Sequence, residues 1–196
     1  DIKELLSHLL QHPKWSKVID QNRIAAAGFS LGGTTSLWLG GIRANKDLFK
    51  KTLDNKYSRW ADWPEYAAKK ARSVDWSKAE LSYKDERVKA VISIAPDLGA
   101  AFTSEGLKEM QVPTLIIVGD KDNITPKEQN AEFYSKNIKN AEIIVLANIE
   151  HFTFMNKCSP LGLKLTPYLC LTEDRKDDTH KLTLNKIYDF LRKTLK

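Results

Sequence analysis

Four short apolar runs, at 24–29, 88–95, 114–118 and 143–147, most limit what this chain can fold into. Each is apolar at nearly all consecutive positions, with Lys89 and Ser93 as the exceptions in the second run, and β-branched residues are prominent among them. Strands of a parallel sheet covered on both faces have that pattern. Helical segments separate the runs, so the expected class is α/β. Ile2, Leu5, Leu6, Leu9 and Leu10 fall on one helical face ahead of Pro13, and the chain opens on an amphipathic helix. Leu184, Ile187, Tyr188, Leu191 and Leu195 form a second stripe over 177–195, expected to pack on the sheet as a closing helix. Between the first two strands lies an insertion, 43–87, carrying Trp60, Trp63 and Trp76 among helix-forming residues. It reads either as a lid over a site or as a packing elaboration.

A chain of 196 residues forms one domain with a full core. The net charge of +6 raises nucleic acid as a partner, so its distribution matters. Residues 43–87 hold twelve Lys or Arg against eight Asp or Glu, which accounts for +4 of the excess. Acids and tryptophans interrupt these bases, and no basic stripe forms; nucleic acid is not expected as a partner. An anionic surface such as phospholipid fits better and allows a transient membrane-surface contact. Two cysteines, Cys158 and Cys170, are too few for a disulfide scaffold, and nothing beside them completes a zinc site, so no metal is expected. They are either one bridge or two reduced thiols. A bridge would require maturation outside the cytoplasm, and a periplasmic or secreted setting is favoured over a cytoplasmic one.

The first apolar run ends in "GFSLGG", residues 28–33, and a helical stretch follows. With nine glycines and twelve serines in the chain, G-x-S-x-G arises by chance about 0.03 times. Its place between strand and helix is that of a nucleophile elbow. Gly28 and Gly32 would let strand and helix approach, Ser30 would take a strained conformation, and the N–H of Leu31 would face an oxyanion. A serine hydroxyl needs a base and an acid to become a nucleophile. In "TLIIVGDKDNITPKE" the acid would follow the third strand. Thr125, Pro126 and Glu128 read as a capping box for the next helix, which leaves Asp122 available as the acid. Asp120, directly on the strand end, would shape the turn. Asp97, after the second strand, is the rival acid. Of the four histidines only His151 falls in a loop after a strand, and the chain order Ser30, Asp122, His151 is that of a hydrolase triad.

These residues resemble the α/β-hydrolases, and within them the serine-type dienelactone hydrolase group, itself similar to platelet-activating-factor acetylhydrolases. The resemblance is carried by "NRIAAAGFSLGG", "VKAVISIAPDLGAAF", "VPTLIIVGDKDNITP", "EHFTFMNKCSPLG" and Cys170. True dienelactone hydrolases bear a cysteine where this chain has Ser30, and the residue before the histidine, usually glycine in such proteins, is Glu150. The resemblance implies a cofactor-free serine esterase acting on a lipid or short-acyl ester through an acyl-enzyme. Ser30 would be the nucleophile, His151 the general base and Asp122 its orienting acid. An inert binding module of the same fold and a peptidase are the alternatives. In hydrolases of this fold the elbow strand is central, and a second oxyanion donor comes from a loop after an earlier strand. Here one helix precedes residue 24, so the fold is expected to lack its N-terminal strands. The open edge would be covered by a missing N-terminal segment or by a second copy.

Overall fold

In the computed structural model, which describes residues 2–59 and 75–196, four parallel strands form one sheet in the order β1 (Ile24–Phe29), β2 (Val88–Ile94), β3 (Thr114–Gly119) and β4 (Ala141–Leu146). Each expected apolar run becomes a strand, with ends differing by one or two residues. Among the described residues the α-helices are α1 (Ile2–Gln11), α2 (Leu31–Gly40), α3 (Lys46–Arg59), α4 (Ser104–Lys108), α5 (Ala131–Asn137), α6 (Pro160–Leu165) and α7 (Lys176–Thr194).

The two faces of the sheet explain why the runs are continuously apolar. Val91, Ile116 and Val118 point to one side, where they join Leu37 of α2 and Tyr134 of α5 in a buried cluster. Their neighbours Ala90, Ile92, Leu115 and Ile117 point to the other side, against Ile187, Phe190 and Leu191 of α7. With period-two alternation and a helix layer on each face, every position of β3 is buried. Each such Val, Leu or Ile contributes roughly 1.5–3 kcal/mol. β1 differs. Its residues are mostly half-buried, and among the described residues it pairs with β2 alone, so it is an edge of the sheet. Among the described residues, no strand lies beyond β1 on that side of the sheet.

The described ends of the 43–87 insertion pack on the α2 side. Phe49 of α3 stacks edge-on to Trp38 at 5.5 Å, Ala44 bridges to Phe102, and Glu80 accepts from the N–H of Lys46. Trp60 and Trp63, and the side chain of Trp76, lie outside the described residues.

The expected capping box at Thr125 does not form. The next helix, α5, begins only at Ala131, with Asn130 at its N-cap. Thr125 is turned inward instead, toward Asp122.

Candidate active site

The elbow is built from main chain. Ser30 sits at φ 56°, ψ −123°, a conformation that disfavours any side chain and costs about 1–3 kcal/mol. It is held there by its N–H, which donates to the carbonyl of Ile94 at 2.8 Å, and by its own carbonyl, which accepts from Thr34 N–H at 3.2 Å. A Cβ on Gly28 would lie 2.1 Å from the carbonyl oxygen of Gly32, and one on Gly33 would lie 2.9 Å from Ser93 Oγ. Strand and helix thus close up on Gly28 and Gly33. The expectation for Gly32 is corrected: a Cβ there would meet nothing within 4 Å. It is the carbonyl of Gly32, not its missing side chain, that sits against Gly28. Leu31 opens α2, so its N–H has no intrahelical partner and is free to face an anion.

The remaining groups come from the loops after β3 and β4. His151 begins a short 3-10 turn, His151–Phe154, and is 2% exposed. Its Nε2 lies 3.1 Å from Ser30 Oγ and its Nδ1 lies 2.7 Å from Asp122 Oδ2. Phe29 and Phe152 flank the imidazole, with ring centroids at 4.7 and 5.2 Å. Asp122 is itself satisfied by main chain. Its Oδ1 accepts from the N–H groups of Ile124 at 3.0 Å and Thr125 at 2.7 Å. Ser30, His151 and Asp122 therefore form one hydrogen-bonded chain from three strand ends.

The rival acid is placed elsewhere. The carboxylate of Asp97 accepts from the N–H of Leu98 at 2.7 Å, in a turn where Leu98 takes φ 60°. Its carbonyl accepts from Thr34 Oγ1 at 2.8 Å and from the hydroxyl of Tyr134 at 2.7 Å, a phenol that burial pushes well above its ordinary pKa. Asp97 thus shapes the loop that abuts α2, while Asp122 holds the histidine. Asp120 shapes a turn, as expected, accepting from Asn148 N–H at 2.6 Å and so tying the two loops together. Glu150, in place of the usual glycine, takes an ordinary extended conformation at φ −96°, so this position needs no glycine.

Other supports were not evident from the sequence. Three side chains at and just before the start of α7 meet carbonyls of the histidine loop and of the segment after it. Arg175 donates to Asn148, His180 lies 2.8 Å from the carbonyl of Phe154, and the buried Lys176 donates to Asn156 at 3.3 Å and Leu169 at 3.1 Å. Beyond them Cys158 and Cys170 are joined in a disulfide. A cavity of about 470 Å³ lies between Phe29, Phe154, Met155 and the disulfide loop. Among the described residues there is no group of three or more His, Cys, Asp or Glu that could hold a metal ion. No described helix is long and apolar enough to cross a membrane.

Comparison with known proteins bears on the family and the fold. A proline iminopeptidase, PfmaB, of Pestalotiopsis fici is 35% identical over 66 residues, which is 34% of this chain and 23% of that protein. An alpha-beta serine hydrolase homologue from Coxiella burnetii superposes with a TM-score of 0.49 at 22% identity, over 95% of this chain and 56% of its own. A CIB-like hydrolase from Thermoplasma acidophilum does so with a TM-score of 0.42 at 16% identity, over 89% of this chain and 58% of its own. The chain thus spans little more than half the length of these two solved structures. The model of the prolyl oligopeptidase family matches residues 1–157, a span that includes the elbow, the acid loop and His151. The chain belongs to the prolyl oligopeptidase family, with the α/β-hydrolase fold.

Proposed function

We propose that this protein is a serine hydrolase that cleaves carboxylic esters through an acyl-enzyme, with Ser30 as nucleophile, His151 as base and Asp122 as orienting acid. The observation that carries the reading is the continuous hydrogen-bonded chain from Ser30 Oγ through both imidazole nitrogens to Asp122 Oδ2. As Ser30 Oγ bonds to the acyl carbon, Nε2 takes its proton and Asp122 stabilises the imidazolium. The oxyanion that forms faces the N–H of Leu31. The tetrahedral adduct then breaks its bond to the alcohol oxygen, which receives the proton from Nε2. Water repeats the sequence to release the acid and restore Ser30.

Ester chemistry is supported by the apolar surroundings of the serine: Phe29 against the imidazole, exposed Leu31, and the cavity beside Phe29 and Phe154. A lipid or short-acyl ester suits such walls, and the resemblance to platelet-activating-factor acetylhydrolases points the same way. Family membership favours a second reading, a peptidase acting next to proline. An oxidising compartment, periplasmic or secreted, suits the disulfide. Labelling with a fluorophosphonate, followed by p-nitrophenyl esters of two to twelve carbons and a prolyl p-nitroanilide, tests these readings. Labelling with faster ester turnover is expected. Turnover of the anilide alone would make the protein a peptidase, and absence of labelling would make it a binding module.

A further inference from the structure

We infer that Thr125 is a positioning residue that sets the basicity of His151 through Asp122; this rests on the triad reading above. Thr125 is fully buried three residues after the acid, and its hydroxyl faces the one carboxylate oxygen that also faces the histidine. Asp122 Oδ1 is taken up by two main-chain N–H groups, so its charge is directed to Oδ2. On Oδ2 two donors converge, His151 Nδ1 at 2.7 Å and Thr125 Oγ1 at 2.9 Å. The hydroxyl has a single proton, and its other acceptor, the carbonyl of Ala95, is farther away at 3.4 Å. The shorter bond, to a carboxylate, takes the proton. Thr125 Oγ1 then presents lone pairs toward His151 Nδ1, 3.2 Å away, and this favours the tautomer with the proton on Nδ1 and the open lone pair on Nε2.

Two consequences follow from this arrangement. Donation to Oδ2 draws negative charge from the oxygen that would stabilise an imidazolium, so removing the hydroxyl should strengthen His151 as a base. It also fixes the plane of the carboxylate, because three of its four bonds come from the 122–125 turn itself. The β-branched side chain restricts χ1, so the hydroxyl keeps its direction without further support.

The test compares Thr125→Val, which keeps the branched shape and removes the hydroxyl, with Thr125→Ser, which keeps the hydroxyl. The rate of fluorophosphonate labelling is followed from pH 4 to 9, because it reports the nucleophile whichever substrate is natural. In Thr125→Val the acidic limb should move to higher pH by about half a unit to one unit, with the rate at the plateau down about tenfold. Thr125→Ser should restore the limb. Should the valine variant not fold, Thr125→Ala gives the same comparison. An unmoved limb with only a lowered melting temperature would make Thr125 structural and overturn the inference. The NMR titration of His151, assigned by its loss in His151→Ala, separates this from failure of the triad reading. If the wild-type protein does not label, that reading fails, whereas a raised titration in Thr125→Val still upholds the Thr125 coupling and an unchanged one overturns it.

Discussion

The elbow after β1 and the paired loops after β3 and β4 hold parts of one site by opposite means. At the elbow, the position of Ser30 is fixed by main chain: a carbonyl of β2, the first turn of α2, and two glycines that let strand and helix touch. No side chain caps α2. Across the site, every bond that fixes the side chains of His151 and Asp122 has a side-chain atom at one end or both, including the carboxylate oxygen that takes the N–H groups of Ile124 and Thr125. Asp120 ties loop to loop, Arg175, Lys176 and His180 grip the carbonyls around the histidine, and Thr125 braces the acid. A backbone-built geometry depends on the absence of atoms, and a side-chain-built one depends on their presence. The first should be broken by adding a methyl group and the second by removing a polar atom.

The largest effects should come where the two halves meet. Ser30→Ala and His151→Ala should each lower labelling and hydrolysis by on the order of 10⁴-fold or more, with no further loss in the double variant, because the residues act as one unit. Circular dichroism should show the fold unchanged. Next in size is the acid. Asp122→Ala should cost on the order of 10³- to 10⁴-fold, whereas Asp97→Ala should stay within about tenfold, since the carboxylate that accepts from Leu98 N–H shapes a turn and does not touch the histidine. If the two were reversed in rate measurements, the side-chain half of the comparison would be misassigned.

On the elbow side, Gly28→Ala is expected to be the most damaging small substitution. Its Cβ would lie 2.1 Å from the carbonyl of Gly32, with main chain on both sides of the contact. Overpacking of this kind typically costs 1–3 kcal/mol or more, about 2–12 °C in melting temperature for a chain of this length. Thermal melts with labelling at 25 °C measure both parts. A variant that melts like the wild-type protein would show that the elbow can shift, and would break the contrast drawn above.

This division also explains which features could be read from the sequence. The strands and the closing helix were legible, because burial on two faces or on one stripe leaves a periodic trace in consecutive residues. The elbow was legible because its requirement for small residues is local, although the reading misplaced it by one position: Gly33 packs against Ser93, and Gly32 does not need to be glycine for room. Asp122 and His151 could be placed by following strand ends. Thr125 was misread because threonine before proline matches a helix start equally well, and only the late beginning of α5 at Ala131 distinguishes the two uses. Arg175, Lys176 and His180 had no local signature. They lie more than twenty residues beyond the carbonyls of Asn148 and Phe154, on a helix whose apolar stripe accounts for it without them.

The contrast extends to pH, since main chain does not titrate and side-chain joints do. Asp85, 5% exposed, accepts from Arg87 Nε at 2.8 Å and Nη2 at 2.6 Å, while Arg87 reaches Ser7 Oγ and the carbonyl of Lys3 and so fastens α1 to the sheet. Hydrogen bonding to the Arg87 guanidinium holds the Asp85 carboxyl below the usual carboxylate range. With its folded-state pKa below the unfolded value, the unfolded chain binds the proton more readily. The contribution is therefore complete above the unfolded carboxylate pKa of about 4 and is lost as pH falls through the folded value. Asp85→Asn should cost about 1–2 kcal/mol at pH 7 and progressively less in denaturant titrations below pH 4. A cost that does not change with pH would show that the carboxylate charge is not what fastens α1.

The smallest effect is also the most specific test of the backbone-built half. Gly32 lies in the first turn of α2, where glycine is the second-worst helix former after proline. The motif suggests that it is required. The geometry shows that its carbonyl is needed, since this is the atom against Gly28, and that the space its side chain would occupy is open to 4 Å. Alanine has the same carbonyl. Gly32→Ala should therefore leave the elbow as it is and narrow the unfolded ensemble, a gain of about 0.5–1 kcal/mol. For a chain of this length that is a rise of roughly 1–4 °C in melting temperature. The sign is the informative part, because Gly28→Ala and Gly32→Ala add the same methyl group four residues apart on either side of Ser30. Opposite shifts would mean that the elbow is held by one main-chain contact. If both variants melted lower, the open space beside Gly32 would be needed for something other than packing.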